Sequence, residues 1–300
     1  MQAIAQGQQV PAELIRPMHD SRPDADDAAT LQARLADDGY LMFSGFFSRA
    51  DIDAARDEIF GALAGVGEIA GPPRAGIYSG TSRRRERAPD AGRYWRQVSE
   101  SWALRRLSHG PQLHQQMSRL FGEPSLVQDY LFLRPVNPGK FTHLHCDAPF
   151  FTRTTDRVLT AWLALGDVPL ALGPLFVVAG SHRDPAVIAR YTGFDVVRDT
   201  DRKAALDTTP RDYAIAQRTT LLTRDFAAGD IVIFGMHTLH GTFDNVAADN
   251  RCRLSCDVRY QPLAEPRDPR YFGPAPGGTT GAGYGELVGA KPLDEGWHVR

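Results

Sequence analysis

The chain has 300 residues, 42% hydrophobic and 23% charged, with a formal net charge of −2. That is enough ordinary globular material for one large domain. It lacks the basic surface that captures nucleic acid or anionic membrane by charge, so a small-molecule substrate is expected. Cys146, Cys252 and Cys256 are an odd set without a CxxC pair, which argues against a secreted disulfide framework and a cysteine zinc site and fits a reducing cytoplasm.

The opening stretch MQAIAQGQQVPAELIRPMHD has no basic region followed by a long apolar run, and no window approaches the roughly 20 apolar residues that span a bilayer. The expectation is a cytoplasmic protein without membrane or nucleic-acid partners. From Asp27 to Asp38, Leu31 and Leu35 lie one turn apart and predict a helix, followed by the strand-like YLMFSGFF. Ser48 with Asp51 three residues on predicts a capped helix start. Ile52, Ala55, Ile59 and Leu63 then recur on one face until Gly65 and Gly67. From Pro72 to Asp90 the chain is rich in Gly, Pro and Arg, and SRRRERAPD reads as a solvated surface loop, with contact to an anionic substrate as the alternative. RYWRQVSESWALRRLSHGPQLHQQMSRLFG returns to helix, with Trp95, Trp102, Leu113, Met117 and Leu120 as expected core.

After residue 125 come short β-branched and aromatic runs divided by Gly, Pro and Asp: SLVQDYLFLRP, RVLTAWLALGDV, PLFVVAG, GDIVIFG and CRLSCDVRYQP. Strands this short, without a strand–helix repeat, predict a sandwich or jelly roll flanked by helices rather than a parallel α/β sheet. Residues 183–225 read as a long insertion between strands, of the kind that often forms an active-site lid. The tail after Pro262 reads as irregular.

The stretch FTHLHCDAPFF carries the chemistry. In an extended strand alternate side chains share a face, so His145 and Asp147 point together while Cys146 points away. His237 and His240 follow in GDIVIFGMHTLHGTFDN, on a strand that an antiparallel barrel can bring alongside. Two imidazoles and one carboxylate form the 2-His-1-carboxylate triad, which leaves positions open and suits non-haem Fe(II). In RCRLSCDVRY, Arg251, Arg253, Ser255, Asp257 and Arg259 share one face by the same alternation. If that face lines the barrel, a guanidinium there suits bidentate capture of a carboxylate, with the Ser255 hydroxyl as a further donor. If it faces water, the arginines are solvated edge residues.

HLHCD, TAWLAL, GPLFVVAGSHR, GDIVIFGMHTLHGTFDN and RLSCDVRYQP, in this order and preceded by LADDGYLMFSGFFS, resemble the phytanoyl-CoA dioxygenase family of Fe(II)/2-oxoglutarate-dependent oxygenases, from about residue 30 to about residue 262. The resemblance implies a mainly β fold with flanking helices: a double-stranded β-helix (jelly roll, cupin-like) core with an N-terminal α-helical region. It implies His145, Asp147 and His240 as iron ligands, with His240 preferred to His237 because Gly241 follows it, and with His143 and His182 outside the triad. It further implies Arg253 as the 2-oxoglutarate anchor with Ser255, Arg251 as the alternative anchor at the family's usual spacing, and Trp162, Thr142 and Thr242 near the cosubstrate. Trp162 has an equal claim to be plain core.

The expected organisation is a single oxygenase domain over 1–300, with helical support at 1–125, a jelly-roll core at 126–262 interrupted by the 183–225 insertion, and an irregular tail at 263–300. The expected activity is Fe(II)-, 2-oxoglutarate- and O2-dependent hydroxylation of an unactivated C–H bond in a small metabolite, such as a natural-product intermediate or an acyl thioester. A divalent-metal cupin-like hydrolase or isomerase and a non-catalytic jelly-roll binding protein are the rivals. The 183–225 insertion and the basic 82–90 loop are the expected lid.

Overall fold

The computed structural model describes residues 3–295; residues 296–300 of the expected tail lie outside the described residues. Each β-rich run becomes a strand, and among the described residues two sheets carry the fold. In the six-stranded sheet, Tyr40–Phe43, Ile231–Gly235, Leu159–Ala164 and Arg253–Pro262 lie side by side. Ser125–Val127 and Phe132–Val136 share the far flank of the last of these, and all pairs are antiparallel. The four-stranded sheet runs His240–Thr242, Leu175–Val178, Leu221–Thr223 and Ile15–Pro17, its last pair parallel.

Period-2 alternation assigns the two faces of the larger sheet. Leu41, Phe43, Ala161, Leu163, Ile231, Ile233, Leu254, Cys256 and Val258 join the buried cluster that includes the helical residues Ile52, Ile59, Leu104, Leu113 and Met117. The opposite face sends Tyr40, Met42, Trp162, Val232 and Phe234 inward, where they meet Leu175 and Val177 of the smaller sheet. The arginine-bearing face of Arg253–Pro262 is this inner one, and every residue of that strand is buried.

The helices follow their signals closely. Asp27 caps Ala28–Asp38 by accepting from the Thr30 amide, and Ser48 caps Arg49–Gly65 by accepting from the Asp51 amide. The long helical run after residue 91 is broken into Ala91–Ser99, Trp102–Ser108 and Pro111–Phe121. The break at Ser101 shifts the helical phase, so Trp102 is not core: it is 68% exposed, with the Arg106 guanidinium 4.8 Å from its ring centre.

Three further differences bear on the site. Strands Ile15–Pro17 and Tyr40–Phe43, from the stretch expected to give helical support, are edge strands of the two sheets. Residues Leu221–Thr223 of the expected insertion are a sheet strand, and the rest of it carries the helices Pro185–Tyr191 and Pro210–Gln217. The Arg-rich loop contains the short helix Arg84–Arg87, and Arg84 is buried rather than solvated.

Candidate active site

His145, Asp147 and His240 converge where the two sheets meet. The segment carrying His145 pairs with the strand His240–Thr242: the His145 amide donates to the His240 carbonyl at 3.0 Å and the His240 amide donates back at 2.8 Å. Asp147 is not on the same extended strand as His145. The chain turns there, and Asp147 is the residue before the helical turn Ala148–Phe151, so turn geometry rather than alternation alone aims its carboxylate.

The donor atoms are oriented by their neighbours. Nδ1 of His145 donates to the His143 carbonyl at 2.8 Å, and Nδ1 of His240 to the Thr238 carbonyl at 2.9 Å. A carbonyl only accepts, so each proton sits on Nδ1 and each Nε2 presents a lone pair. Both Nε2 atoms lie 3.9 Å from Asp147 Oδ1, too far for a hydrogen bond. The three donor atoms all fall within 4.8 Å of one another, a spacing one ion can bridge with metal–ligand bonds of about 2 Å. Burial, reinforced by the neighbouring His240, pulls His145 down to about 3, and burial also lowers His240, so both rings are neutral, the form in which an imidazole can hold a metal. Burial pushes the Asp147 carboxyl upward, but the Arg259 guanidinium, with the Thr160 hydrogen bond, outweighs it and holds it well below the usual range.

The other oxygen of Asp147 is already taken. Oδ2 accepts from Thr160 Oγ1 at 2.6 Å and from Arg259 Nη2 at 2.9 Å, which leaves Oδ1 toward the histidines. Arg259 is held between Phe132 and Phe151, its guanidinium carbon 4.5 and 4.3 Å from their ring centres. Sequence reasoning placed Arg259 on the right face without giving it a role, and it passed over Thr160. Alternation along Leu159–Ala164 puts Thr160 on the same inner face as Trp162, which the resemblance alone singles out.

Deeper between the sheets lies a second group. Arg253 is buried and gives Nη1 to the Gly173 carbonyl, while its Nε and Nη2 have no partner among the described residues; nor do Ser255 Oγ and Thr142 Oγ1. Burial pulls Arg253 down to about 9, as expected of an enclosed cation whose counter-charge is weak. Such a set of orphaned buried donors is costly unless something accepts from it, and a carboxylate fits that chemistry. Thr242 lies beside Thr142, its Oγ1 accepting from the Thr142 amide at 2.8 Å. Arg251 lies outside the strand, paired with Asp249 at 2.5 Å and partly exposed. Trp162 packs its ring 4.9 Å from that of Phe226 in the inner apolar cluster.

His143 and His237 stay outside the triad, and His182 bonds the Ala36 carbonyl through Nε2 at 2.9 Å. A cavity of about 330 Å³ opens onto His145 and Asp147. His145, Asp147 and Arg259 line it together with the apolar Phe132, Phe150 and Phe151 and with Leu287, Val288 and Lys291 from the C-terminal segment. Neither the 82–90 loop nor the 183–225 insertion lines it. The insertion instead braces the triad segment from behind, with the Leu206 amide donating to the Leu144 carbonyl at 2.9 Å and the Val196 amide to the Pro149 carbonyl at 3.1 Å.

Two facing sheets, a His-Asp-His donor set and an enclosed guanidinium mark the class of non-haem iron, 2-oxoglutarate-dependent oxygenases. The family model described as phytanoyl-CoA dioxygenase (PhyH) matches residues 35–252, and the chain belongs to that family. It is a non-haem iron- and 2-oxoglutarate-dependent dioxygenase, with O2 as co-reactant. A search of curated proteins returned no match. Among solved structures, the epimerase SnoN from nogalamycin biosynthesis, in complex with Fe3+, alpha ketoglutarate and nogalamycin RO, is 21% identical. It aligns over 91% of this chain and 94% of its own, with a TM-score of 0.56. The carbocyclase SnoK from the same biosynthesis is 20% identical over 83% of this chain and 88% of its own, with a TM-score of 0.53. EctD from S. alaskensis is 17% identical over 85% and 84%, with a TM-score of 0.55. At these identities the likeness is one of fold. Among the described residues no helix is long and apolar enough to cross a membrane.

Proposed function

We propose that the chain is a single oxygenase domain with a double-stranded β-helix core, that His145, Asp147 and His240 hold Fe(II), and that the enzyme hydroxylates an unactivated C–H bond of a small metabolite in the cytoplasm. The observation that carries this reading is the convergence of two Nε2 lone pairs on Asp147 Oδ1, each ring locked by its Nδ1 hydrogen bond. The core assignment is supported by the facing sheets and the antiparallel pairing of the triad segment with His240–Thr242.

Iron bound there, with 2-oxoglutarate and O2, would supply the oxidising equivalent for C–H functionalisation, with succinate and CO2 as coproducts. The chain's own residues do the rest. Thr160 and Arg259 keep Asp147 turned so that one oxygen faces the histidines. Arg253, with Ser255 and Thr142, accepts the distal carboxylate of 2-oxoglutarate, which satisfies donors that otherwise stay unpaired in the interior. Thr242 and Trp162 bound the same space. The phenyl groups of Phe132, Phe150 and Phe151 exclude water from the side on which a substrate enters. Hydroxylation is the default outcome. The structural neighbours SnoN and SnoK are an epimerase and a carbocyclase, so a related scaffold can accompany other fates of a substrate.

The test is metal titration of the chelated protein alongside succinate release. His145→Ala, Asp147→Ala and His240→Ala should each abolish stoichiometric Fe(II) binding and 2-oxoglutarate turnover, and His237→Ala should leave both. Loss of iron in His237→Ala with retention in His240→Ala would overturn the ligand assignment.

A further inference from the structure

The oxygenase reading leaves the substrate open, and resting on that reading, the cavity above the triad narrows it. At about 330 Å³ it lies at the small end of ligand pockets. It encloses a compact group beside His145 and Asp147, and the nucleotide of an acyl thioester would have to lie outside it.

Its lining has two characters. Phe132, Phe150 and Phe151 present an apolar, aromatic side. The charged members are Arg134, Arg259, Lys291, Asp147 and Glu286, and most of these are already engaged. Asp147 and Arg259 hold each other. Glu286 accepts from the Thr279 and Thr280 amides and the Thr279 hydroxyl. Arg134 is bound to Asp257 through Nε at 2.8 Å, and Lys291 makes no ion pair among the described residues. Glu286 keeps its charge but its oxygens are occupied by the Thr279 and Thr280 donors, so Lys291 is the lining cation without an ion-pair partner among the described residues.

Lys291 is also fixed in place. Arg84, from the Arg-rich loop, donates through Nη1 to the carbonyls of Gly289 and Lys291, the second at 2.8 Å, and its Nη2 is paired with the buried Glu68 at 2.5 Å. Glu68 in turn accepts from the Leu293 amide at 3.0 Å. A buried ion pair thus pins the backbone of the otherwise irregular C-terminal segment beside the cavity, with the exposed Lys291 in its lining.

We propose that the substrate is a small organic acid with an aromatic or similarly flat apolar body. Its body lies against Phe132, Phe150 and Phe151, its carboxylate is taken by Lys291 and Arg134, and its reacting C–H bond is presented to the triad. Charge-assisted hydrogen bonds to these two groups select the acid over its neutral isosteres.

The experiment uses the full chain loaded with Mn(II) and saturating 2-oxoglutarate, with phenylacetate and phenylacetamide as matched probes and the Zn(II) form as blank. Mn(II) enhances the relaxation of probe protons held beside it, so the signal reports binding above the triad without turnover. Phenylacetate should bind about tenfold more tightly than phenylacetamide, a difference typical of one charge-assisted contact. Lys291→Met should bring the two to near parity, Lys291→Arg should restore the preference, and coenzyme A should not displace phenylacetate. Equal binding of the two probes, absence of saturable binding by either, a preference that survives Lys291→Met, or displacement by coenzyme A would each overturn the proposal while leaving the metal assignment intact. Failure of Mn(II) or 2-oxoglutarate to bind at all would instead overturn the oxygenase-site assignment, and the proposal with it.

Discussion

At the residue scale, three arginines on or near one strand divide the labour by position. Arg253 is enclosed with two nitrogen groups unpaired, Arg251 is spent on Asp249 at the surface, and Arg259 orients a metal-ligand candidate. Arg253→Ala should therefore raise the apparent Kd for 2-oxoglutarate about 30-fold or more, because removing one side of a desolvated charge pair costs on the order of 2–5 kcal/mol. Arg251→Ala should change it little. Isothermal titration of the Mn(II) form with 2-oxoglutarate checks both, and the reverse ranking would move the anchor to Arg251. Arg259→Gln should act on the metal instead. Losing the partner that turns a ligating carboxylate typically weakens metal affinity about 10- to 100-fold, to be read by competition with a chelator, while 2-oxoglutarate affinity per metal-loaded site stays near wild type.

At the element scale, the site is held by contacts that the local signals do not announce. The helix Arg49–Gly65 buries Ile59 against the outer face of the large sheet, and Ile59→Ala should cost about 2–5 kcal/mol of unfolding free energy in urea titrations. The C-terminal segment behaves differently, since it has little regular structure and depends on the Glu68–Arg84 pair. Both side chains are essentially fully buried, and removing one partner of such a pair typically costs about 3–5 kcal/mol. Arg84→Met should therefore loosen residues 283–293 first, seen as faster amide exchange there, before the sheets respond. Exchange that rises uniformly through the chain would mean that the pair supports the whole fold rather than this segment.

At the scale of the whole molecule, buried neutral histidines make stability depend on pH. Burial lowers His109 and His145 from an ordinary 6.5 to about 3, so between those values the unfolded chain binds protons that the folded chain refuses. The sign follows: stability is full above about pH 6.5 and falls as pH drops toward 3, by at most about 1.4 kcal/mol per pH unit for each group. Asp195, lowered to about 2 despite burial by its hydrogen bond from Arg153, adds a loss of the same direction below about 4. Urea midpoints of the chelated protein between pH 8 and pH 4.5 should show the decline, and His109→Asn should make it shallower. A midpoint independent of pH across that window would show that these rings are solvated when folded.

What the linear chain determined by itself is what depends on short-range periodicity and side-chain chemistry. Alternation put Arg253, Ser255, Asp257 and Arg259 on one face, the residue types of HLHCD and HTLHG proposed the donor set, and Ser48 announced its helix. These follow because strand pleat, helix turn and capping are properties of a few neighbouring residues. The tertiary structure decided which face of that strand is inside, since two-sided burial depends on the second sheet. It decided between Arg251 and Arg253 as the enclosed guanidinium, because the strand starts at Arg253 and leaves Arg251 outside it, partly exposed and paired with Asp249. It also placed Thr160 against Asp147, 13 positions apart, and held Lys291 in the cavity lining through the Arg84 guanidinium, 207 positions away. No local pattern encodes them. They exist because folding closes loops of that length around buried charges whose partners can only be found across the interior.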